Sequence, residues 1–201
     1  MANIQLLLLA AGASHRMGSP KQLLPWGNET LIEHQIKILL ETSNPLSVVL
    51  GAYSEKIISV IDKLKIEIYK NENWEMGMGT SISYGMKLLL EKYPNIDGVL
   101  ITLIDQPLLT TTHFKKMLNL FQTGNEQIIV SHSENGWSGA PVLFDKKYFD
   151  ELLKLKGNEG AKQIASKHKN SVQSISGGYN LKDMDTLKAY NDLLNIFNRK
   201  L

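Results

Sequence analysis

The chain contains no cysteine. This excludes disulfides and any thiolate metal site and suits a reducing compartment, so a cytoplasmic protein is expected. Charge of one sign is also lacking: 22 Lys and Arg stand against 20 Asp and Glu, a net charge of +2. The cations are scattered among acids and form no basic stripe, which argues against a nucleic-acid partner. Long apolar runs are absent as well. The run at residues 4–9 has no basic segment before it, breaks at Gly12 and Arg16, and is too short to span a bilayer, so neither a signal peptide nor a membrane association is expected. None of the five histidines pairs with another at ligand spacing, which speaks against zinc. No stretch reads as a linker, so the 201 residues are expected to form one domain, 1–201. At that length roughly 70% of the unfolded surface can be buried without a covalent staple.

What the chain does have is concentrated in residues 6–25, LLLLAAGASHRMGSPKQLLP. An apolar run of strand length gives way to the small residues Ala10, Ala11 and Gly12. Ser14, Arg16, Gly18 and Lys21 follow before apolar residues resume at Leu23 and Leu24. A buried strand feeding a glycine-containing loop offers backbone N–H groups to a phosphate, and small side chains let the main chain come close. Arg16 and Lys21 add two positive charges, and no Asp or Glu occurs before Glu29. The pattern predicts a polyphosphate pocket; the plain alternative is a strand-to-helix connection with its Arg and Lys in solvent. It is not a Walker loop, lacking Gly-Lys-Ser/Thr, nor a dinucleotide fingerprint, lacking the third glycine.

Downstream, Thr30 and Glu33 have capping-box spacing ahead of a helix carrying Ile32, Ile36, Leu39 and Leu40, which ends near Asn44-Pro45. Residues 46–50 read as a short buried strand. Ser54 is the expected cap of a helix with Ile57, Ile61 and Leu64 inward, and Ile66, Ile68 and Tyr69 alternate as a third strand. This order of strands and helices predicts a layered α/β domain with parallel strands. Residues 71–80, NENWEMGMGT, lead into a helix capped by Thr80 or Ser81 that carries Ile82, Met86, Leu89 and Leu90. Such a turn serves either an anion or nucleobase at the helix start, or merely the surface above Trp74. Residues 98–104, GVLITLI, predict a central strand, apolar on both faces, ending at Asp105-Gln106-Pro107. Asp105 there either reaches a phosphate-held cation or caps the next helix.

Phe114, Met117, Leu118 and Phe121 mark a further helix and residues 127–131 a strand, and in 137–144, WSGAPVLF, Gly139 and Pro141 bend the chain at the sheet's open end. In 156–161, KGNEGA, Asn158 is read as a helix cap. Asp183-Met184-Asp185-Thr186 precede a helix with Leu187, Tyr190, Leu194 and Phe197, and by spacing alone Asp185 is its N-cap.

Leu9 through Pro25 fill nearly every fixed position of the signature L-A-A-G-x-S-x-R-M-G-x-x-K-x-L-L-P. In this the chain resembles the nucleotidyltransferases of the MobA-like group, and within it the molybdenum cofactor cytidylyltransferases. The resemblance implies a three-layer α/β/α, Rossmann-like nucleotidyltransferase fold with a mostly parallel central sheet. It implies transfer of CMP from CTP to the phosphate of molybdopterin, with release of pyrophosphate and Mg²⁺ as cofactor. By the same resemblance Arg16 attends the β- and γ-phosphates and Lys21 the α-phosphate, while Leu9, Ala10, Ala11, Gly12, Ser14 and Gly18 cradle the nucleotide. Asn71, Trp74, Gly77 and Ser81 match an N-x-x-W-x-x-G-x-x-x-S segment lining the base pocket. Asp105 and, from a D-x-D-T motif, Asp185 are the implied metal ligands. Gln106, Pro107, Gly139 and Pro141 are implied on the acceptor side, with Ala140 replacing a bulkier residue and Asn158 an aspartate. Ala11, where guanylyltransferase relatives carry a second glycine, and Asp-Gln-Pro favour CTP. GTP with molybdopterin, a sugar or polyol phosphate as acceptor, and a non-catalytic nucleotide-binding protein or molybdoenzyme chaperone remain the alternatives. A target molybdoenzyme is a further implied partner.

Overall fold

β1 (Ile4–Ala10) is buried along all seven of its residues. Alternate side chains serve opposite layers: Leu6, Leu8 and Ala10 enter one apolar cluster, and Leu7, Leu9 and Ala11 the other. The computed structural model describes residues 2–133, 136 and 138–199, and Trp137 of the WSGAPVLF segment lies outside them. Along the chain β1 is followed by the short strands β2 (Pro25–Trp26) and β3 (Glu29–Thr30), then α1 (Leu31–Leu40), β4 (Leu46–Leu50), α2 (Ser54–Ile61) and β5 (Glu67–Lys70). Next come α3 (Met78–Lys92), β6 (Gly98–Leu103), α4 (Thr111–Leu120), β7 (Ile128–His132), β8 (Ser138–Asp145), α5 (Phe149–Leu153), α6 (Ala161–Lys167), β9 (Val172–Ser176) and α7 (Leu187–Asn198).

The seven-stranded sheet runs β5-β4-β1-β6-β8-β7-β9, and β2 pairs with β3 as a separate ribbon. Leu6 of β1 stands beside both Leu46 of β4 and Leu100 of β6 in parallel register. Within the described seven-stranded sheet only β8 runs against its neighbours. Ile36 of α1, Ile57 of α2, Phe114 of α4 and Leu193 of α7 cover one face; Met86 of α3, Leu152 of α5 and Ile164 of α6 cover the other. The fold is thus the expected α/β/α sandwich around a mostly parallel sheet. No helix among the described residues is long and apolar enough to cross a membrane.

Local capping follows the sequence in one place and departs from it in four. Thr30 and Glu33 form the expected capping box. α2 is entered through Tyr53 in a left-handed conformation, and Ser54 makes no cap. α3 starts at Met78, ahead of Thr80 and Ser81, because Gly77 (φ 110°) turns the chain and the Gly79 N–H donates to Gly157 O at 2.8 Å. α6 begins after Gly160, and Asn158 instead lies against Gly77, where an added Cβ would come within 2.6 Å of its Oδ1. At α7 the Thr186 hydroxyl accepts from the Ala189 N–H at 3.1 Å, so Asp185 is not the cap.

Between Val130 and Ser131 the register of β7 on β8 shifts, leaving Ala140 and Pro141 as a bulge. Ser131 Oγ donates to Pro141 O at 3.0 Å and lies 2.8 Å from His113 Nε2. Burial, aided by the Lys116 charge, pushes the His113 imidazole from 6.5 down to about 4. A depressed pKa makes the contribution of His113 to stability complete above 6.5 and progressively lost as pH falls towards 4, a swing of roughly 3 kcal/mol. Urea unfolding at pH 7 and pH 4.5 is therefore expected to show a larger loss for the parent than for His113→Gln. Equal losses would contradict the assignment.

Candidate functional site

The carboxyl ends of β1 and β6 open on a cavity of about 460 Å³, the place where open α/β sheets hold their ligands. The loop leaving β1 is tied down by its carbonyls. Gln22 Nε2 donates to Ala10 O at 2.8 Å and to Gly12 O at 2.9 Å, and the Ala52 N–H donates to Ala11 O at 3.0 Å. Ser14 (φ 56°) and Gly18 (φ 68°) then reverse the chain through left-handed conformations around a short 3-10 turn, His15–Met17. Ser14 Oγ accepts from the Lys21 N–H at 3.2 Å, starting a second such turn, Lys21–Leu23, that directs Lys21 inward.

Lys21 is only 8% exposed. Its Nζ donates to Met184 O and to Asp185 Oδ1, each at 3.0 Å, and lies 3.5 Å from Asp105 Oδ2. Arg16, mostly in solvent, reaches the other oxygen of Asp185 at 2.9 Å. The 183–185 segment is docked by the Met184 N–H on Asp105 O at 2.7 Å and by Gln106 Nε2 on Asp183 Oδ1 at 3.1 Å. Burial lifts the Asp105 carboxyl above the usual range, against the pull of Lys21, and lifts Asp183 likewise. Burial works the same way on Asp185, but the hydrogen bond and charge of Lys21 together with Arg16 outweigh it and hold that carboxyl below the usual range.

Among the described residues no three His, Cys, Asp or Glu side chains gather as a metal site. Asp105 Oδ1, however, is shielded and has no hydrogen-bond partner, and Asp185 stands across Lys21 from it. Two carboxylates lining one cavity fit a hard divalent cation that takes phosphate oxygens and water as its other ligands.

The opposite wall comes from the segment after β5. Asn71 is buried; its Nδ2 donates to Ser81 Oγ at 3.0 Å and its Oδ1 accepts from the Asn73 N–H at 3.0 Å. Trp74 lies directly over Gly51, where a Cβ would sit 2.4 Å from Trp74 Cβ and 2.7 Å from Ala11 O. Gly51→Ala forces these two walls apart and is expected to cost about 1–3 kcal/mol, as overpacking does. Chemical denaturation reads this directly, and an unchanged midpoint would rule the contact out as a constraint.

Leu9, Ala11, Gly12, Ser14, Arg16, Lys21, Gly77, Ser81, Asp105 and Asp185 all line the cavity. Ala10 ends β1 beneath it, Gly18 closes the first 3-10 turn, and Asn71 supports Ser81. The four residues expected on the acceptor side lie elsewhere. Gln106 is fully buried against Asp183, and Pro107 borders a separate cavity beside His34 and Phe197. Gly139 lines a third, of about 400 Å³, and the Pro141 carbonyl is taken by Ser131. Conversely, Gln22, Gly51 and Met184 shape the site although sequence reasoning passed over them. Gln22 sits between Lys21 and the apolar Leu23 and Leu24, and nothing local marks it as a clamp.

The MobA-like NTP transferase domain matches residues 6–172. The chain is similar to nicotine blue oxidoreductase of Paenarthrobacter nicotinovorans, 33% identical over 114 residues, but the match spans 56% of this chain and only 54% of that protein. It is similar to molybdenum cofactor cytidylyltransferase of Escherichia coli (strain K12), 29% identical over 147 residues, 73% of this chain and 72% of that one. Rv0371c of Mycobacterium tuberculosis H37Rv superposes with a TM-score of 0.85 at 24% identity, covering 96% of this chain and 98% of its own. A structure of that protein in complex with manganese gives a TM-score of 0.79 at 22% identity, covering 96% of this chain and 99% of its own. These two likenesses speak for the fold alone. A domain match that takes in the loop after β1, both walls of the cavity and Asp105 shows the family: the chain belongs to the MobA-like NTP transferases.

Proposed function

We propose that this single-domain, cytoplasmic protein transfers CMP from CTP to the phosphate of molybdopterin, in its free or metal-loaded form, with Mg²⁺ as cofactor. An acceptor phosphate oxygen attacks the α-phosphorus, a new P–O bond forms, and the bond to the β-phosphate oxygen breaks with its electron pair leaving on pyrophosphate. Both reactants are anions, so the work of the protein is to align and neutralise them. Arg16 takes the β- and γ-phosphates and Lys21 the α-phosphate oxygens, while the backbone of residues 11–18 wraps the chain of phosphates. Asp105 and Asp185 would hold Mg²⁺, which would supply positive charge to offset that of the phosphates. Leu9, Ala10, Ala11, Gly12, Ser14, Gly18, Asn71, Gly77 and Ser81 form or support the nucleotide cradle. No nucleophile on the protein is required.

The observation that carries this reading is the meeting of Lys21 and Arg16 with Asp105 and Asp185 at the edge of one cavity. The choice of CTP and molybdopterin leans on Ala11 and on the similarity to the molybdenum cofactor cytidylyltransferase of Escherichia coli. The test is pyrophosphate release from CTP, GTP, UTP and ATP with molybdopterin and Mg²⁺. Release from CTP alone is the expected result. Release from GTP, or with a sugar phosphate in place of molybdopterin, would redirect the specificity, and binding without release would favour a nucleotide-binding chaperone for a molybdoenzyme. The relative named an oxidoreductase favours a second reading, a redox reaction in the same cavity. Consumption of a reduced nicotinamide dinucleotide in the absence of pyrophosphate release would support that reading.

A further inference from the structure

Gln22 is a fully buried polar side chain beside the loop after β1. Both hydrogens of its amide are used, one on Ala10 O and one on Gly12 O, and the intervening Ala11 O is held by the Ala52 N–H. The orientation of the amide is fixed by chemistry, because turning it over would set Oε1 against two carbonyl oxygens. Three consecutive carbonyls are thus bound into the protein. Among the described residues, the N–H groups of Gly12, Ala13 and Ser14 donate no hydrogen bond within the chain. Gly12 and Ser14 line the cavity, as does Gln22 itself. Successive free N–H groups in a turn form an anion-binding concavity, and their direction is set by where the carbonyls are anchored.

We infer that Gln22 is a positioning residue: by binding the Ala10 and Gly12 carbonyls it fixes the peptide planes on either side of the one that Ala52 holds, so that the Gly12 and Ala13 N–H groups, and Ser14 after them, are set as a ready-made seat for a polyphosphate. This rests on the proposed reading only in that the loop receives a chain of phosphates; it is independent of the base and of the acceptor. Arg16 and Lys21 supply charge, and Gln22 supplies direction. The clamp also ties the end of β1 to the turn that carries Lys21, so donors and ammonium are set by the same residue.

The test uses the full chain with inorganic tripolyphosphate, CTP and cytidine as probes, comparing the parent with Gln22→Met, which keeps length without donors, and Gln22→Glu, which keeps shape but faces the carbonyls with an acceptor. Affinity for tripolyphosphate and for CTP is expected to fall about 10- to 100-fold in either variant while cytidine binding is unchanged, a split that a general loss of packing does not produce. In the parent, tripolyphosphate should shift the backbone amide resonances of Gly12, Ala13 and Ser14 together with the Gln22 side-chain amide, a readout that stands even if both variants fail to fold. A folded variant binding tripolyphosphate like the parent, or parent amides that do not respond to it, overturns the inference. A parent that binds tripolyphosphate but not CTP leaves the inference supported and overturns the choice of nucleotide. A parent that binds neither overturns both.

Discussion

Lys21→Ala is expected to slow pyrophosphate release by about 10²–10³-fold, the usual loss on removing one preorganised charge from such a site. The reason is positional. The Lys21 ammonium is almost enclosed, within 3.5 Å of both Asp105 and Asp185, and a third acid, Asp183, acts on Asp105 through its charge. Without it the acids are left facing each other and any incoming triphosphate with only Arg16 to offset them. Stability should also fall, since the loss of one partner strands buried charge, by about 3–5 kcal/mol in comparable buried pairs. Rates must therefore be taken on protein that circular dichroism shows to be folded. A folded Lys21→Ala enzyme working at the parent rate would remove Lys21 from the chemistry.

Asp105→Asn should separate function from stability in opposite directions. Burial raises the Asp105 carboxyl, so its ionised form is disfavoured by folding. By sign, a raised carboxyl adds stability below its unfolded value of 3.8 and loses it as pH rises through the higher folded value; at pH 7 it is a cost. Replacing it with the neutral amide removes that cost, and Lys21 keeps Asp185 at 3.0 Å. The variant is therefore expected to melt at the same temperature as the parent or higher at pH 7. Its Mg²⁺-dependent gain in CTP affinity, read by calorimetry, should vanish. A variant that melts lower, or that keeps the Mg²⁺ dependence, would contradict the role given to Asp105.

What the sequence displayed and what it concealed divide along the range of the forces involved. β1 and β6 were legible because a strand covered on both faces must be apolar throughout, and the Thr30–Glu33 box because it closes within four residues. The α3 start was not legible: Gly77 takes its conformation against the distant 156–160 turn, whose Gly157 carbonyl receives the Gly79 N–H. Likewise the cap of α7 passes to Thr186 because Asp185 is drawn to Lys21 and Arg16, partners far away in the chain. That Gly12, Ser14, Arg16 and Lys21 belong together could be read directly, since they follow the buried β1 within a dozen residues, and they do line one cavity. Gln22 could not, because a buried clamp and an exposed filler look alike until the carbonyls it binds are located. Gln106 was expected on the acceptor side, and its long-range partner was equally hidden: its amide holds Asp183, 77 residues away.

The most direct measurement is the position of a bound metal and triphosphate, obtained by crystallising the protein with CTP and Mn²⁺ and locating the metal by its anomalous scattering. Expected is a single peak ligated by Asp105 and Asp185 and by phosphate oxygens, with the Lys21 ammonium moved from Asp185 onto the phosphates and the N–H groups of residues 12–14 pointing at them. A metal bound away from those two carboxylates, or a triphosphate out of reach of the loop after β1, would contradict the central claim.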